Sequence, residues 1–560
     1  MSVLIECVPN FSEGRDMSII NQITAAIETV EGVKLLDVDA GKATNRTVVT
    51  FVGSPAAVVE AAFRAIAKAA ELIDMRSHKG EHPRMGATDV CPFIPIGNAT
   101  MAQAVACSQQ LAARVGQELA IPVFLYEYSA SKTENKNLAT IRAGEYEAMA
   151  TKLSSGQFNP DFGQAVMNVK SGVTAIGARD FLVAYNVNLN TTSVRRANSV
   201  AFDVREQGRI VREGDDINGV AIKDENGEPL RQAGTCKSVK GIGWYIAEYG
   251  VAQVSMNLTN INDTPLHIAF QECCRSAERR GMRVTGSELV GLVPLKVLLD
   301  AGEYFLQQQQ RSVGVSESEL IKIAVKTMGL DELSPFVPAK KIIEYQLRDL
   351  QTSPLVNMSL AAFADETASE SPAPGGGSIA AYMGALGVSL ATMVANLSAH
   401  KRGWDTQWKF FSEYAAQGQR LKTELLQLVD EDTQAFNKIM AAFALSKSNE
   451  TEKQTRSQAI QAATQYAVEI PLRTMRLSLQ SMNLIAKMAE IGNPNSVSDA
   501  GVGALAARAA VYGAFLNVKI NLSGLKDADY VQKTNQEAQT VLNQALAQEA
   551  AILKLVESKI

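Results

Sequence analysis

Hydrophobic and polar positions alternate with two different periods along the first 330 residues. "VLIECVPNF", "VKLLDVDAG", "RTVVTFVGS", "TDVCPFIPI" and "IPVFLYEYS" are short apolar or alternating runs that predict strands. Between them "MSIINQITAAIETVEG", residues 55–73 and residues 102–119 repeat apolar side chains every three to four positions, the signature of helices packed on one face. Residues 138–153 continue in the same helical pattern. The resulting β-α-β-β-α-β order predicts a mixed sheet with helices on one face, a split-βαβ sandwich.

After a Gly/Pro/Asn-rich stretch, "SSGQFNPDFGQAVMNVKSGVTAIGARD", the pattern starts again. "FLVAYNVNLN" reads as a strand and "SVRRANSVAFDVRE" as a helix. Two strands then flank an "EYG" turn, a helix is closed by Gly281, and "MRVTGSELVGLVP" is a further strand. From about Ser334 strand signals nearly vanish. Ala, Leu, Gln, Lys and Glu recur at helical spacing, broken at "SESPAPGGGS", "AHKRGWD", "LSKSNETEK" and "GNPNSVSD". The fold class expected is therefore α/β (α+β), two split-βαβ sandwich subdomains over 1–180 and 181–330. A linker over 331–345 and an all-α bundle of five to seven helices over 346–560 follow. Two architectures in one chain suggest two functions.

The 560 residues exceed what one core holds, and a hydrophobic share of 46% with 20% charged residues fits an ordinary globular protein. A net charge of −5 argues against nucleic acid or an anionic membrane as the main partner. The six cysteines form no C-x-x-C pair, and the N-terminus has no basic, apolar leader, so a cytoplasmic location is expected. The uncharged stretch 379–399 has the length of a membrane span. Its Ala, Gly and Ser content suits close helix packing better than lipid, so no span is expected.

The chain has four histidines, and two of them, His78 and His82, lie in "DMRSHKGEHPRMGATDVCPF" with Glu81 between. The H-x-x-E-H spacing matches a zinc motif only if both imidazoles share a helix face. Gly80 between them and Pro83 after them make this a loop, so no metal is expected. Two solvated loop histidines are the plain alternative. An acid–base role is favoured by Lys79, Glu81 and Arg84 crowding the same loop, since histidine takes and gives protons near neutral pH. Asp39 and Arg46 end and begin neighbouring predicted strands and are candidates to approach it. Arg46 and Arg84 are candidates for holding substrate carboxylates through the guanidinium fork, with a surface salt bridge as the alternative for each.

The motifs "VPNFSEGRD", "LLDVDAGKATNRTVVTFVG", "HKGEHPRMGATDVCPFIPI" and "PDFG…GARDFLVAYNVNL", followed by "APGGGS", "LVDEDTQAF" and "YGAFLNVKINL", resemble the formimidoyltransferase-cyclodeaminase family over almost the whole chain. That resemblance implies a bifunctional folate enzyme of histidine degradation. It implies transfer of the formimino group of formiminoglutamate to tetrahydrofolate. Cyclisation of the product to methenyl-tetrahydrofolate with release of ammonia would follow. It places the transferase's catalytic histidine on His82, with His78 as a neighbour or orienter. The folate-binding stretch falls on Gly163, Gln164, Ala165, Val166, Met167, Asn168, Val169, Lys170, Ser171 and Gly172. Taken alone this stretch reads as a linker. Its glycines nevertheless suit close approach to a flat ring, and Lys170 suits a carboxylate.

The cyclodeaminase's catalytic aspartate falls on Asp432, whose pKa must be raised by burial, or by Asp430 or Glu431, to act as an acid. Gly376 and Ser378 open the uncharged helix, as an anion site or as a turn with Ser378 capping it. Either Ser498 or Asp499 is expected to cap the later helix that runs to Lys519, and Asp499 is a weaker site candidate. Tetrahydrofolate polyglutamate is expected as a co-substrate with no tightly bound cofactor, and a homo-oligomer is expected through both domains. The alternatives are a transferase with a structural helical domain, a folate-binding scaffold, and a membrane-anchored protein.

Overall fold

The computed structural model describes residues 3–42, 44–80, 83–156, 158–215, 219–347 and 354–560. The chain divides into two compact units. The first holds Met1–Val297 and Met328–Gln346, the second Leu298–Thr327 and Leu347–Ile560.

In the first unit β1 (Val3–Cys7), β2 (Asn10–Phe11), α1 (Met17–Glu28), β3 (Val33–Gly41), β4 (Arg46–Gly53), α2 (Pro55–Leu72), β5 (Thr88–Gly97), α3 (Met101–Glu118) and β6 (Val123–Glu127) follow one another. Then come α4 (Leu138–Arg142), α5 (Glu145–Ser154) and β7 (Thr174–Ala178). Strands β1 and β2 both lie between β4 and β5, β3 flanks β4, and β7 and β6 extend the sheet beyond β5. The pairing is antiparallel from β3 to β5 and parallel from β5 through β7 to β6. This is the expected mixed sheet.

Helices cover it on both faces, however. Ile5, Cys7, Phe51 and Phe93 meet α1–α3 through Ile27, Ile66 and Leu111. Met85, Val90, Phe124 and Tyr126 on the other side meet Ile141 of α4 and Met149 and Leu153 of α5. The continuous helix expected over 138–153 is broken because Gly144 has φ +80° and Glu145 φ +55°, left-handed backbone that a helix cannot pass through.

The second sheet of this unit has β8 (Val183–Leu189), β11 (Val239–Ile246), β12 (Val251–Leu258) and β13 (Val284–Val290) in the antiparallel order β11-β12-β8-β13. Helices α6 (Val194–Val204) and α7 (Leu266–Arg279) pack on it, and β9 (Arg209–Ile210) and β10 (Arg231–Gln232) form a separate ribbon. Helices α8 (Leu295–Gln308) and α9 (Glu317–Met328) come next, then the short α10 (Pro338–Lys341) and α11 (Ile343–Leu347). Most of α8 and α9 belongs to the second unit. Their connection docks there: Val313 N–H donates to Ser412 Oγ at 2.9 Å, and Asn396 Nδ2 donates to the Gly314 carbonyl at 2.7 Å.

The rest of the second unit comprises α12 (Leu360–Thr367), α13 (Gly376–Ala399), α14 (Trp408–Ala444), α15 (Glu450–Ile491), α16 (Val497–Leu522) and α17 (Ala528–Glu557), six helices among the described residues. Two of its segments, Gly376–Ala399 and Pro494–Leu522, are long and apolar enough to cross a membrane. Here α13 packs against α14, α15 and α16, and small residues set the distance. A Cβ on Gly387 would stand 2.8 Å from the Gly503 carbonyl oxygen. This is the close helix contact that the Ala/Gly composition predicts.

Candidate active sites

In the first unit, β3 and β4 form a hairpin in which Asp39 pairs with Val48 and Gly41 with Arg46, so the two candidates share one end of the sheet. Beside it runs the loop after α2. Asn45, at the hairpin turn with φ +47°, fastens that loop. Its Nδ2 donates to the Lys79 carbonyl at 2.9 Å, and its Oδ1 accepts from Gly14 N–H at 3.0 Å. His78 Nε2 lies 2.9 Å from the Asn45 carbonyl oxygen. A carbonyl only accepts, so Nε2 carries the proton and Nδ1 is left to accept from Arg84 Nε at 3.4 Å. Burial, and after it the Arg84 charge, lowers the His78 pKa against the opposing Asn45 hydrogen bond, so the ring is neutral at pH 7. His82 and Glu81 lie outside the described residues.

Arg84 is buried under the cleft that follows. Its Nη1 donates to Glu145 Oε2 at 2.8 Å, and Nη1 and Nη2 donate to the two oxygens of Glu147 at 2.9 and 2.7 Å. These carboxylates, Glu147 first, hold its pKa above the usual arginine value. Lys79, Gly80, Arg84, Gly144, Glu145 and Glu147 line a cavity of about 510 Å³. Glu145 and Glu147 carried no motif. The only signal for them was Gly144 interrupting a helical pattern. Arg46 is not in this cleft. Its guanidinium donates to Asn10 Oδ1 and stands with Asp89 and Arg142, and burial lowers its pKa to about 10. Asp89, wholly buried, accepts from Arg142 Nη2 at 2.6 Å and from Met85 N–H at 3.0 Å, fixing the loop's exit.

Residues 163–172 run against this loop and are integrated with it. Gly163 and Gly172 have φ +81° and +72°. Gln164, Ala165, Val166 and Val169 are exposed, while Met167 packs on the Met85–Tyr126 cluster. Asn168 closes a turn on Ser171 and Gly172 through its side chain and carbonyl. The Lys170 carbonyl accepts from Met75 N–H and the Ser171 carbonyl from Ala87 N–H, at 2.9 and 2.7 Å. Lys170 Nζ donates to the Glu71 carbonyl at 2.5 Å. A Cβ on Gly172 would sit 2.3 Å from the Met85 carbonyl oxygen.

In the second unit the N-terminus of α13 meets the middle of α14. The single Ser378 O–H is shared, donating mainly to the Val429 carbonyl at 2.8 Å with Asp432 Oδ2 at 3.3 Å as its second acceptor. A Cβ on Gly377 would fall 2.1 Å from Asp432 Oδ1, so this carboxylate rests on the glycine turn. The cap of α13 is Gly375, and Ser378 lies inside the first turn. Burial raises the Asp432 pKa, opposed by the Ser378 hydrogen bonds.

Asp430 and Glu431 point elsewhere. Asp430 accepts from Leu355 N–H at 2.9 Å and Val356 N–H at 3.3 Å, and Glu431 pairs with Arg473 at 2.8 Å. They are therefore not what raises Asp432. Gly376 faces Asn517, near the C-terminal end of α16. Asp499 is in the first turn of that helix, whose cap is Ser496 rather than Ser498 or Asp499. Eighteen residues at 1.5 Å each put Asp499 about 27 Å from Asn517, so within one chain it is not part of the Asp432 cluster.

Three family models match in succession. They are "Formiminotransferase domain, N-terminal subdomain" over residues 4–179, "Formiminotransferase domain" over 184–348 and "Formiminotransferase-cyclodeaminase" over 359–540. The chain is 41% identical over 560 residues to formimidoyltransferase-cyclodeaminase of Rattus norvegicus and 42% identical over 561 residues to that of Gallus gallus, with 100% of each chain covered. The chain belongs to the formimidoyltransferase-cyclodeaminase family. The first half is also 41% identical over 307 residues to glutamate formimidoyltransferase of Streptococcus pyogenes serotype M1, covering 55% of this chain and 94% of that one. In formimidoyltransferase-cyclodeaminase terms, the Arg84 cleft lies inside the N-terminal formiminotransferase match. The Asp432 cluster lies inside the third match.

Proposed function

We propose that the chain is a bifunctional folate enzyme of histidine degradation. It transfers the formimino group of formiminoglutamate to tetrahydrofolate, releasing glutamate. It then closes the formimino product to methenyl-tetrahydrofolate, releasing ammonia. The observation that carries this reading is the full-length likeness to formimidoyltransferase-cyclodeaminases, with a separate polar site inside each half. The transferase subdomains are taken as 1–180 and 181–330 and the cyclodeaminase domain as 346–560, except that residues 298–327 pack in the second compact unit and the expected linker 331–345 in the first.

In the transferase, His82 takes the proton from the attacking pterin nitrogen and returns one to the departing glutamate nitrogen. Arg84, with Lys79 beside it, faces substrate carboxylates, and residues 163–172 form the folate platform. Neutral His78 holds Arg84 in place. In the cyclodeaminase, Asp432 keeps its proton to a higher pH than an exposed aspartate does. It gives that proton to the nitrogen that leaves as ammonia once the second folate nitrogen has attacked the formimino carbon.

Tetrahydrofolate, as its polyglutamate, is a co-substrate, and no tightly bound cofactor is required. We place the enzyme in the cytoplasm, in keeping with six free cysteines. We read it as a homo-oligomer. Val502, Leu505, Tyr512, Leu516 and Ile520 expose an apolar stripe on α16 that a second copy would cover.

The test is turnover of formiminoglutamate and tetrahydrofolate, following methenyl-tetrahydrofolate by absorbance and glutamate and ammonia by coupled assays. Wild type yields all three products. His82→Ala yields none of them, and Asp432→Ala yields glutamate while formimino-tetrahydrofolate accumulates. Losses of about 10²–10⁴-fold are expected at each step. Glutamate without ammonia from wild type would reduce the protein to a transferase with a structural helical domain.

A further inference from the structure

The Arg84 guanidinium has five N–H groups, and all five are used. On the inner side Nε donates to His78 Nδ1 at 3.4 Å, Nη2 to the His78 carbonyl at 3.2 Å and Nη1 to Glu145 Oε2 at 2.8 Å. The outer edge is taken by Glu147 alone, with one oxygen on each terminal nitrogen at 2.9 and 2.7 Å. Two parallel bonds from one guanidinium to one carboxylate are the geometry in which arginine recognises a free carboxylate.

The two ends of that pair differ in environment. The Arg84 side chain is 10% exposed and Glu147 is 65% exposed. Glu147 stands in the first turn of α5, directly after the left-handed corner at Gly144 and Glu145 that aims this turn at the cavity. Lys79 lines the same cavity.

We propose that Glu147 occupies the place of a substrate carboxylate. Formiminoglutamate binds by displacing Glu147 from the outer edge of Arg84, and its second carboxylate meets Lys79. This rests on the transferase reading given above. The exchange is one carboxylate for another, so the buried guanidinium keeps every donor satisfied throughout. The displaced Glu147 swings into water, where most of its surface already lies. His78 and Glu145 hold the inner edge during the exchange. An internal ligand of this kind lowers apparent affinity by the fraction of time it leaves the fork open, and it shields the fork from other small carboxylates.

Steady-state kinetics of the full chain test the assignment, with each substrate varied while the other saturates. Removing the competitor in Glu147→Gln and Glu147→Ala lowers KM for formiminoglutamate about three- to tenfold and leaves KM for tetrahydrofolate where it was. Arg84→Lys, which cannot offer a planar fork, raises KM for formiminoglutamate. A denaturant transition and near-ultraviolet circular dichroism like those of wild type report that the first compact unit, which carries Glu147 and Arg84, is folded in each variant. A KM for formiminoglutamate that is unchanged or raised in both Glu147 variants overturns the proposal, because Glu147 then only supports Arg84. A fall in KM for tetrahydrofolate instead overturns it by giving the fork to the folate's glutamate tail. Wild-type protein that releases no glutamate at all sinks the transferase reading, and this proposal with it.

Discussion

At the scale of single residues, the first unit contains a carboxyl that the proposed chemistry does not use. Glu6 on β1 is 2% exposed, and its Oε2 has no hydrogen-bond partner among the described residues. Burial raises its pKa from 4.5 to about 7, with Arg179 pulling it down and Glu344 pushing it up. The folded protein therefore binds a proton at Glu6 more tightly than the unfolded chain does. Stability from this group is full below pH 4.5 and is lost as pH rises to about 7. Two and a half units at about 1.4 kcal/mol each make the loss ~3 kcal/mol. Glu6→Gln removes the charge and keeps the shape. It should stabilise the first unit at pH 8 by up to ~3 kcal/mol and give no gain at pH 4.5. Denaturant midpoints of wild type and variant at the two pH values decide this. Equal differences at both would show that Glu6 is not the titrating group.

At the scale of elements, the start of α13 depends on what a side chain would displace. Gly377 leaves room for the Asp432 carboxylate, since a Cβ there would stand 2.1 Å from Oδ1 and 2.5 Å from Cγ. The turn of α14 carrying Asp432 is in turn held by Ser378 on Asp432 and on the Val429 carbonyl. Gly377→Ala should push the carboxylate off its partner at a cost of about 1–3 kcal/mol in local packing. Ammonia release should fall at least tenfold and glutamate release should be unaltered. Equal ammonia release from variant and wild type would show that the Asp432 position has no bearing on cyclisation.

Much of the element pattern behind this site was legible in the chain, because strand and helix periods are local properties. The break at Gly144 was less so. Its effect is a left-handed corner carried into Glu145, a non-glycine residue, with Tyr146 N–H donating to the Arg84 carbonyl across the cleft at 2.9 Å. Only packing across that cleft could impose it. The reading of helices on one sheet face failed for the same reason, since nothing local in α4 and α5 says which side of the sheet they cover.

At the scale of the whole molecule, the two candidate sites sit in separate compact units, and each has its own core. A chain with only the first site working should therefore supply one with only the second. Mixing His82→Ala protein with Asp432→Ala protein should restore methenyl-tetrahydrofolate after a lag, during which formimino-tetrahydrofolate builds up in solution. No product from the mixture, when each variant alone performs its remaining half-reaction, would mean that the intermediate does not pass between chains.

By itself the sequence determined the two architectures, the approximate order of strands and helices, and the family. Periodicity and long motifs are carried in the order of residues. It also placed Asp39 and Arg46 on adjoining strands, and β3 and β4 do pair through them. Tertiary structure decided which charges face which. It gave Arg84 to Glu145, Glu147 and His78, and Arg46 to Asn10, Asp89 and Arg142, though either arginine fitted a carboxylate fork on sequence grounds. It turned 163–172 from a linker into a segment hydrogen-bonded to the histidine loop. It left Asp432 to be raised by burial while its acidic neighbours Asp430 and Glu431 bind elsewhere. The physical reason is common to all three. A side chain's pKa and partners depend on what folding brings within about 4 Å, and residues 61 and 63 positions apart, as Glu145 and Glu147 are from Arg84, leave no mark on each other's local pattern.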